Sequence, residues 1–201
     1  MKKLNFEIVK DTSITALVLD KIEYFSGVRL PMDYARNSKL VVVRQNDKLV
    51  AGYMIVTKPP FRSIAFVPDG VAIKNSFFRN SIHDMIEVNG FWISPAVKSP
   101  YSQLRIWWQL AFDVFSERKN FVLLMRNEKN SNMQKFFCMV NPTNLYLGSP
   151  QLMAGESSHE KISVSYCTRW QLVKNLHRYA WELFHRQSRR FRRIGGQKRV
   201  A

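Results

Sequence analysis

Few side chains in the 201 residues stand where chemistry would need them. The two cysteines, Cys138 and Cys167, make no disulfide framework, and none of the four histidines (His83, His159, His177 and His185) is spaced to form a thiol–imidazole couple with either. His177 and His185 lie eight apart without the acidic partners a metal site needs, so no metal ligand set is expected. There is no Walker loop and no nucleophile elbow. Lys98 is better placed, because it precedes the N-terminus of a predicted helix, where a cation and backbone amides together attract phosphate. Positive charge is the strongest signal. The formal net charge is +16. Arg169–Ala201 holds ten basic residues against one acid, Glu182, which makes +9 and leaves +7 on the remainder. Such a field favours acidic partners: nucleic acid, anionic lipid or an acidic protein.

Any such site has to be carried by a globular fold. A hydrophobic content of 46% with 23% charged residues excludes wholesale disorder. No apolar run reaches the ~20 residues of a membrane span, and the first residues lack the apolar core of a signal peptide. The cysteine usage makes a cytoplasmic location the expectation. Leu4–Val9 reads as a strand, and Asp11 or Ser13 can cap a helix over Ile14–Phe25. Val28–Arg36 is irregular, with room for a second short helix. Two runs flanking Gln45-Asn46-Asp47-Lys48 form the clearest hairpin, Lys39–Lys58. Further strands are predicted at Ser63–Val67 and Asp84–Ile93.

In the second half, Ser99 and Pro100 open a helix that runs to Arg118. Leu104, Trp107, Trp108, Ala111, Val114 and Phe115 give it a wide apolar stripe. Phe121–Met125 is a strand, Ser131–Val140 a short helix, and Asn144–Leu147 and Lys161–Thr168 are strands on either side of an exposed loop at Gly155–Glu160. Trp170–Arg193 is a final helix, with Trp170, Val173, His177, Trp181 and Phe184 along one stripe and Leu172, Leu176, Tyr179 and Leu183 beside it, packed on the body as far as Phe184. The order makes a mixed α/β (α+β) chain: a body, 1–168, followed by a C-terminal helix and basic tail, 169–201.

Glu87-Val88-Asn89-Gly90-Phe91-Trp92-Ile93-Ser94-Pro95 opens with a carboxylate, passes through an apolar-aromatic stretch, ends at proline and feeds a long amphipathic helix. This resembles the fourth strand and following helix of the GNAT acyltransferase superfamily. Asn120–Arg126 resembles the fifth strand. Asn130, Met133 and the pair Phe136-Phe137 resemble the family's next helix, and the Lys39–Lys58 hairpin with Gly52 resembles its second and third strands. The resemblance implies a GNAT-like, mixed, mostly antiparallel sheet of six or seven strands with flanking helices, splayed beside Glu87–Pro95.

The resemblance also implies roles. Glu87 would accept the proton of an attacking amine, with His83 and Asp84 as alternatives. Trp92 and Ile93 would lie along a pantetheine arm, and Lys98, Ser99, Tyr101, Ser102, Gln103 and Asn130 would meet its phosphate end. Arg105, Arg118, Lys119 and Arg126 flank the same groove. Trp107, Trp108, Phe112 and Phe115 would either line an acyl pocket or fill the core.

Two departures stand out. The family's small phosphate-loop residues fall on Tyr101 and Gln103, and Pro100 has no N–H to give. The usual tyrosine falls on Phe137, leaving Tyr146 or Cys138 as substitutes. The expected donor is therefore an acyl group on acidic acyl carrier protein rather than acyl-CoA, passed to a small amine, with no permanently bound cofactor. This resembles the N-acyl amino acid synthases and acyl-homoserine-lactone synthases. The alternative is an inactive binding protein using the basic tail on nucleic acid or an anionic membrane.

Overall fold

The computed structural model describes residues 3–26, 29–128, 140–151 and 161–185. Seven strands form one sheet: β1 (Asn5–Ile8), β2 (Lys39–Gln45), β3 (Lys48–Val56), β4 (Met85–Ile93), β5 (Phe121–Asn127), β6 (Thr143–Gly148) and β7 (Ile162–Thr168). Their order is β1-β2-β3-β4-β5-β7-β6. Every neighbouring pair is antiparallel except β4–β5. The helices are α1 (Thr12–Ser26), α2 (Met32–Arg36), the short α3 (Arg62–Ala65), α4 (Asp69–Ala72) and α5 (Ser76–Ser81), then α6 (Pro100–Ser116) and α7 (Arg169–Lys174). Residues 176–185 are also helical. No helix among the described residues is long and apolar enough to cross a membrane.

Local signals account for the boundaries. The β2–β3 hairpin turns through Asn46 and Asp47, both at positive φ (48° and 61°), the geometry of a two-residue turn that these residue types tolerate. Asp11 rather than Ser13 caps α1, its Oδ1 accepting the N–H groups of Ser13 (2.7 Å) and Ile14 (3.1 Å). Ser99 caps α6 with Pro100 in its first turn, and Thr168 and Gln171 form a capping box on α7.

Helices cover both faces of the sheet. On one, Val18, Leu19 and Ile22 of α1 pack on Leu40, Val42, Met54 and Trp92. On the other, Trp107, Leu110 and Val114 of α6 join Leu172 of α7 and Leu176 over Val41, Tyr53, Ile55, Ile86 and Val122. Buried Asp113 pins α6 to the sheet by accepting from the Tyr53 hydroxyl (2.5 Å) and Lys39 Nζ (3.2 Å).

Strand β4 is irregular in two ways. Gly52 pairs with Trp92 while Met54 pairs with Asn89, so β4 carries one extra residue there, a bulge with Gly90 at φ +59°. The parallel ladder to β5 covers only Met85–Glu87 against Phe121–Leu123, whereas β5 stays paired with β7 out to Asn127. The sheet therefore opens between β4 and β5 from Val88 onward.

Three expectations need correction. Ser63–Val67 is not a strand. Its first residues belong to α3, whose N–H groups at Arg62 and Ser63 are capped by the Glu87 carboxylate of β4. Pro68-Asp69-Gly70 has turn composition, but Asp69 and Gly70 begin α4, and α5 follows where no element is expected. The final helix is interrupted at Asn175, whose side-chain Nδ2 and backbone N–H both donate to the Gln171 carbonyl. Val140 apart, the predicted helix over 131–140 lies outside the described residues, as do the 155–160 loop and everything after 185.

Candidate active site at the strand opening

Glu87 is the last β4 residue paired with β5, so it sits where the two strands part. Its side chain is fully buried. Oε2 accepts from the Tyr34 hydroxyl (2.7 Å) and the Arg62 N–H (2.8 Å). Oε1 accepts from the Ser63 N–H (2.7 Å) and the Ser63 hydroxyl. A carboxylate has about four acceptor positions, so these donors fill them. Asn89 Nδ2 donates to Tyr34 Oη (3.2 Å), and Asn89 Oδ1 accepts the Gly90 N–H (2.7 Å). One network thus links α3, Glu87, α2 and the β4 bulge.

Its electrostatics follow from burial. Desolvation, and then the neighbouring Glu87 charge, push the Tyr34 hydroxyl well above the ordinary tyrosine range, which keeps it a neutral donor. Burial pulls the Arg62 guanidinium below its ordinary value, opposed by Tyr34 and Glu87. Arg62 also lies over the Phe66 ring, 5.4 Å from its centroid.

The far end of β4 leads into the loop before α6, about 20 Å from Glu87 at ~3.3 Å per residue. Trp92 is buried and stacked on Phe25 (5.2 Å, 9° between planes), while Ile93 is half-buried. Lys98, Ser99 and Tyr101 are exposed, Ser102 is buried and Gln103 half-buried.

Most amides here are already engaged. The Ala96 N–H donates to Ser94 Oγ, Val97 to the Ser94 carbonyl, Lys98 to the Ala96 carbonyl, Ser102 to Ser99 Oγ and Gln103 to the Ser99 carbonyl. The Gln103 side chain closes the loop by donating to the Val97 carbonyl (2.6 Å). Such a loop offers phosphate a lysine and a hydroxyl more than a ring of amides.

The other candidates are spread out. Asp84 accepts from the Asn120 N–H (3.0 Å) and side chain (2.7 Å), clipping the starts of β4 and β5 together. His83 is exposed and its carbonyl accepts from Lys119. Arg126 pairs with Glu128 (2.8 Å), Arg105 lies over Phe6 and Arg118 is exposed. On α6, Trp107 is core, Phe115 is half-buried against Trp170, and Trp108 and Phe112 are exposed. The Tyr146 hydroxyl donates to the Ser149 carbonyl (2.5 Å). Burial pushes the Cys167 thiol up to about 12. Among the described residues no cluster of His, Cys, Asp and Glu could hold a metal ion. Asn130, Phe137, Cys138 and His159 lie outside the described residues.

Tyr34, Arg62 and Ser63 were not legible as site residues, since they stand 53, 25 and 24 positions from Glu87. Asn89-Gly90 did carry a signal, because glycine inside a strand marks a bulge.

No family model and no curated protein matches the chain. Solved structures do. FeeM, an N-acyl amino acid synthase from uncultured soil microbes, superposes with a TM-score of 0.61 at 9% identity, covering 87% of this chain and 96% of its own. A GCN5-related N-acetyltransferase from Brucella melitensis gives 0.55 at 9% identity, covering 90% and 82%. A Bacillus subtilis acetyltransferase in complex with CoA gives 0.52 at 7% identity, covering 83% and 99%. The mixed seven-stranded sheet with its flanking helices is the GNAT fold.

Proposed function

We propose that this chain is an N-acyltransferase that takes an acyl group from a pantetheine thioester and passes it to an amine. The supporting observation is the opening of the sheet after Glu87 and Leu123. It leaves one side of β4 without a β5 ladder and able to hydrogen-bond an extended amide-bearing arm. In the reaction, the amine nitrogen attacks the thioester carbonyl, a C–N bond forms and the C–S bond breaks. The amine proton passes to Tyr34 Oη as Tyr34 hands its own proton to Glu87 Oε2; the departing thiolate takes a proton from solvent, and Glu87 returns its proton to solvent through Tyr34, which restores the site.

The expected donor is acyl carrier protein rather than acyl-CoA. Engaged amides around Ala96–Gln103 suit the single phosphate of a carrier-borne arm better than a pyrophosphate, and a body of +7 suits an acidic carrier. The test is mass spectrometry of lipid extracts from cells overexpressing the protein, with new N-acylated amines as the expected result. A second reading, the same fold kept for binding alone, is favoured by the filled acceptor positions of Glu87. Extracts without any new product would favour it.

A further inference from the structure

Beyond Tyr101, which opens α6 beside the proposed phosphate loop, the α6 side of the molecule carries exposed aromatic rings that neither the core nor the proposed acyl site uses. Tyr101, Arg105, Trp108 and Phe112 succeed one another at spacings of four, three and four, so they share one outward stripe of α6. Their aromatic members are 51%, 53% and 64% exposed. The stripe continues through Phe115 to Trp170, which is 52% exposed and 4.9 Å from the Phe115 ring.

Together, α7 and the helical residues 176–185 lie alongside, with Tyr179 against Trp107 (4.7 Å) and Leu172, Leu176 and Leu183 buried. Their exposed residues include Lys174, Arg178 and Trp181, the last 74% exposed. The terminal segment therefore packs through its leucines, and the expected Trp170–Trp181–Phe184 stripe faces away from the body. Acid is scarce on this layer: Asp113 is buried, Glu117 is held by Lys39 (3.6 Å), and Glu182 is half-buried. The opposite helix, α1, also exposes Leu17, Tyr24 and Phe25, but there Asp11, Asp20 and Glu23 outnumber Lys21.

We propose that the outer face of α6 and the C-terminal helical segment docks on an anionic lipid bilayer. Three observations select lipid. The exposed large apolar residues of this layer are all aromatic, the class that settles at the headgroup level. They are interspersed with cations, which anionic headgroups attract. They also stay exposed along a helix about 25 Å long. A protein partner would need a matching pocket for each ring, whereas a bilayer interface yields to all of them.

The experiment is flotation of the full-length chain with phosphatidylglycerol-containing vesicles and with pure phosphatidylcholine vesicles. It is paired with tryptophan quenching by brominated lipid. The expected result is binding to the anionic vesicles, weakened by salt, with quenching. Trp108→Ser combined with Phe112→Ser should weaken binding about 10- to 100-fold, from the loss of two partly inserted rings. Both positions are exposed, so the fold is retained, and quenching of the unsubstituted protein needs no variant. A chain with Arg189, Arg190, Arg192 and Arg193 all changed to Gln tests the tail instead, and it should keep the quenching. The proposal is overturned if the unsubstituted chain does not float with anionic vesicles. It is overturned equally if the Trp108/Phe112 variant floats like the parent, or if the tail substitutions alone abolish quenching. Binding of an acidic carrier protein that depends on Trp108 and Phe112, without vesicle binding, would assign the face to a protein partner.

Discussion

Glu87→Gln replaces one acceptor oxygen by an amide NH₂ inside a cluster made only of donors. Tyr34, Arg62 N–H, Ser63 N–H and the Ser63 hydroxyl all point at that carboxylate, so at least one of them loses its acceptor. The expected stability cost is about 1–3 kcal/mol. If the carboxylate takes the amine proton, turnover falls by about 10²–10⁴. Tyr34→Phe separates the two effects, because it leaves three of the donors in place and removes only the hydroxyl through which the proton would pass. Single-turnover rates read beside denaturant midpoints check this. A full-rate Glu87→Gln variant would take Glu87 out of the proposed mechanism and leave it as the clamp on α3.

At the scale of the element, the β4 bulge is the feature that one residue type makes possible. Gly90 sits at φ +59°, and a Cβ there would come within 2.7 Å of Ile22 Cδ1 and 2.9 Å of Met54 Cε. Gly90→Ala combines left-handed backbone strain with crowding of the α1 face, for an expected loss of about 2–4 kcal/mol. The Gly90 N–H also closes onto Asn89, so a shifted bulge would disturb the Asn89–Tyr34–Glu87 chain. Urea unfolding gives the test: a midpoint equal to that of the parent would show that the bulge does not depend on glycine.

For the whole molecule, two buried hydroxyls on opposite faces of the sheet link stability to alkaline pH. Burial first, then Glu87, raises Tyr34. Burial first, then the hydrogen bond to Asp113, raises Tyr53. Both folded values lie above the unfolded value of about 10. Their contribution is therefore fully present below about pH 10 and is lost as pH rises from there toward the folded values. Absorbance titration of tyrosinate, tracked together with far-ultraviolet circular dichroism, should find these two phenols un-ionised until the fold itself is lost. Ionisation of every tyrosine while the dichroism stays native would contradict the burial of both.

Much of the architecture is legible in the sequence because its signals are local. The Asn46-Asp47 turn, the Ser99-Pro100 start of α6 and the run from Glu87 to Pro95 each lie within one short window, and each appears in the structure as an element boundary or an irregular strand. Other features depend on partners far along the chain. Glu87 reads as a strand carboxylate, and it becomes a sealed acceptor only because α2 and α3 fold over it from 53 and 24 residues away. Ser63 reads as the start of a strand, and it turns helical where that carboxylate satisfies its N–H. Trp107 and Trp108 are adjacent on a stripe too wide to assign by periodicity. Packing on the sheet buried the first and left the second in solvent. Periodicity identifies a helix with an apolar face, but only the neighbouring elements determine how much of that face they cover.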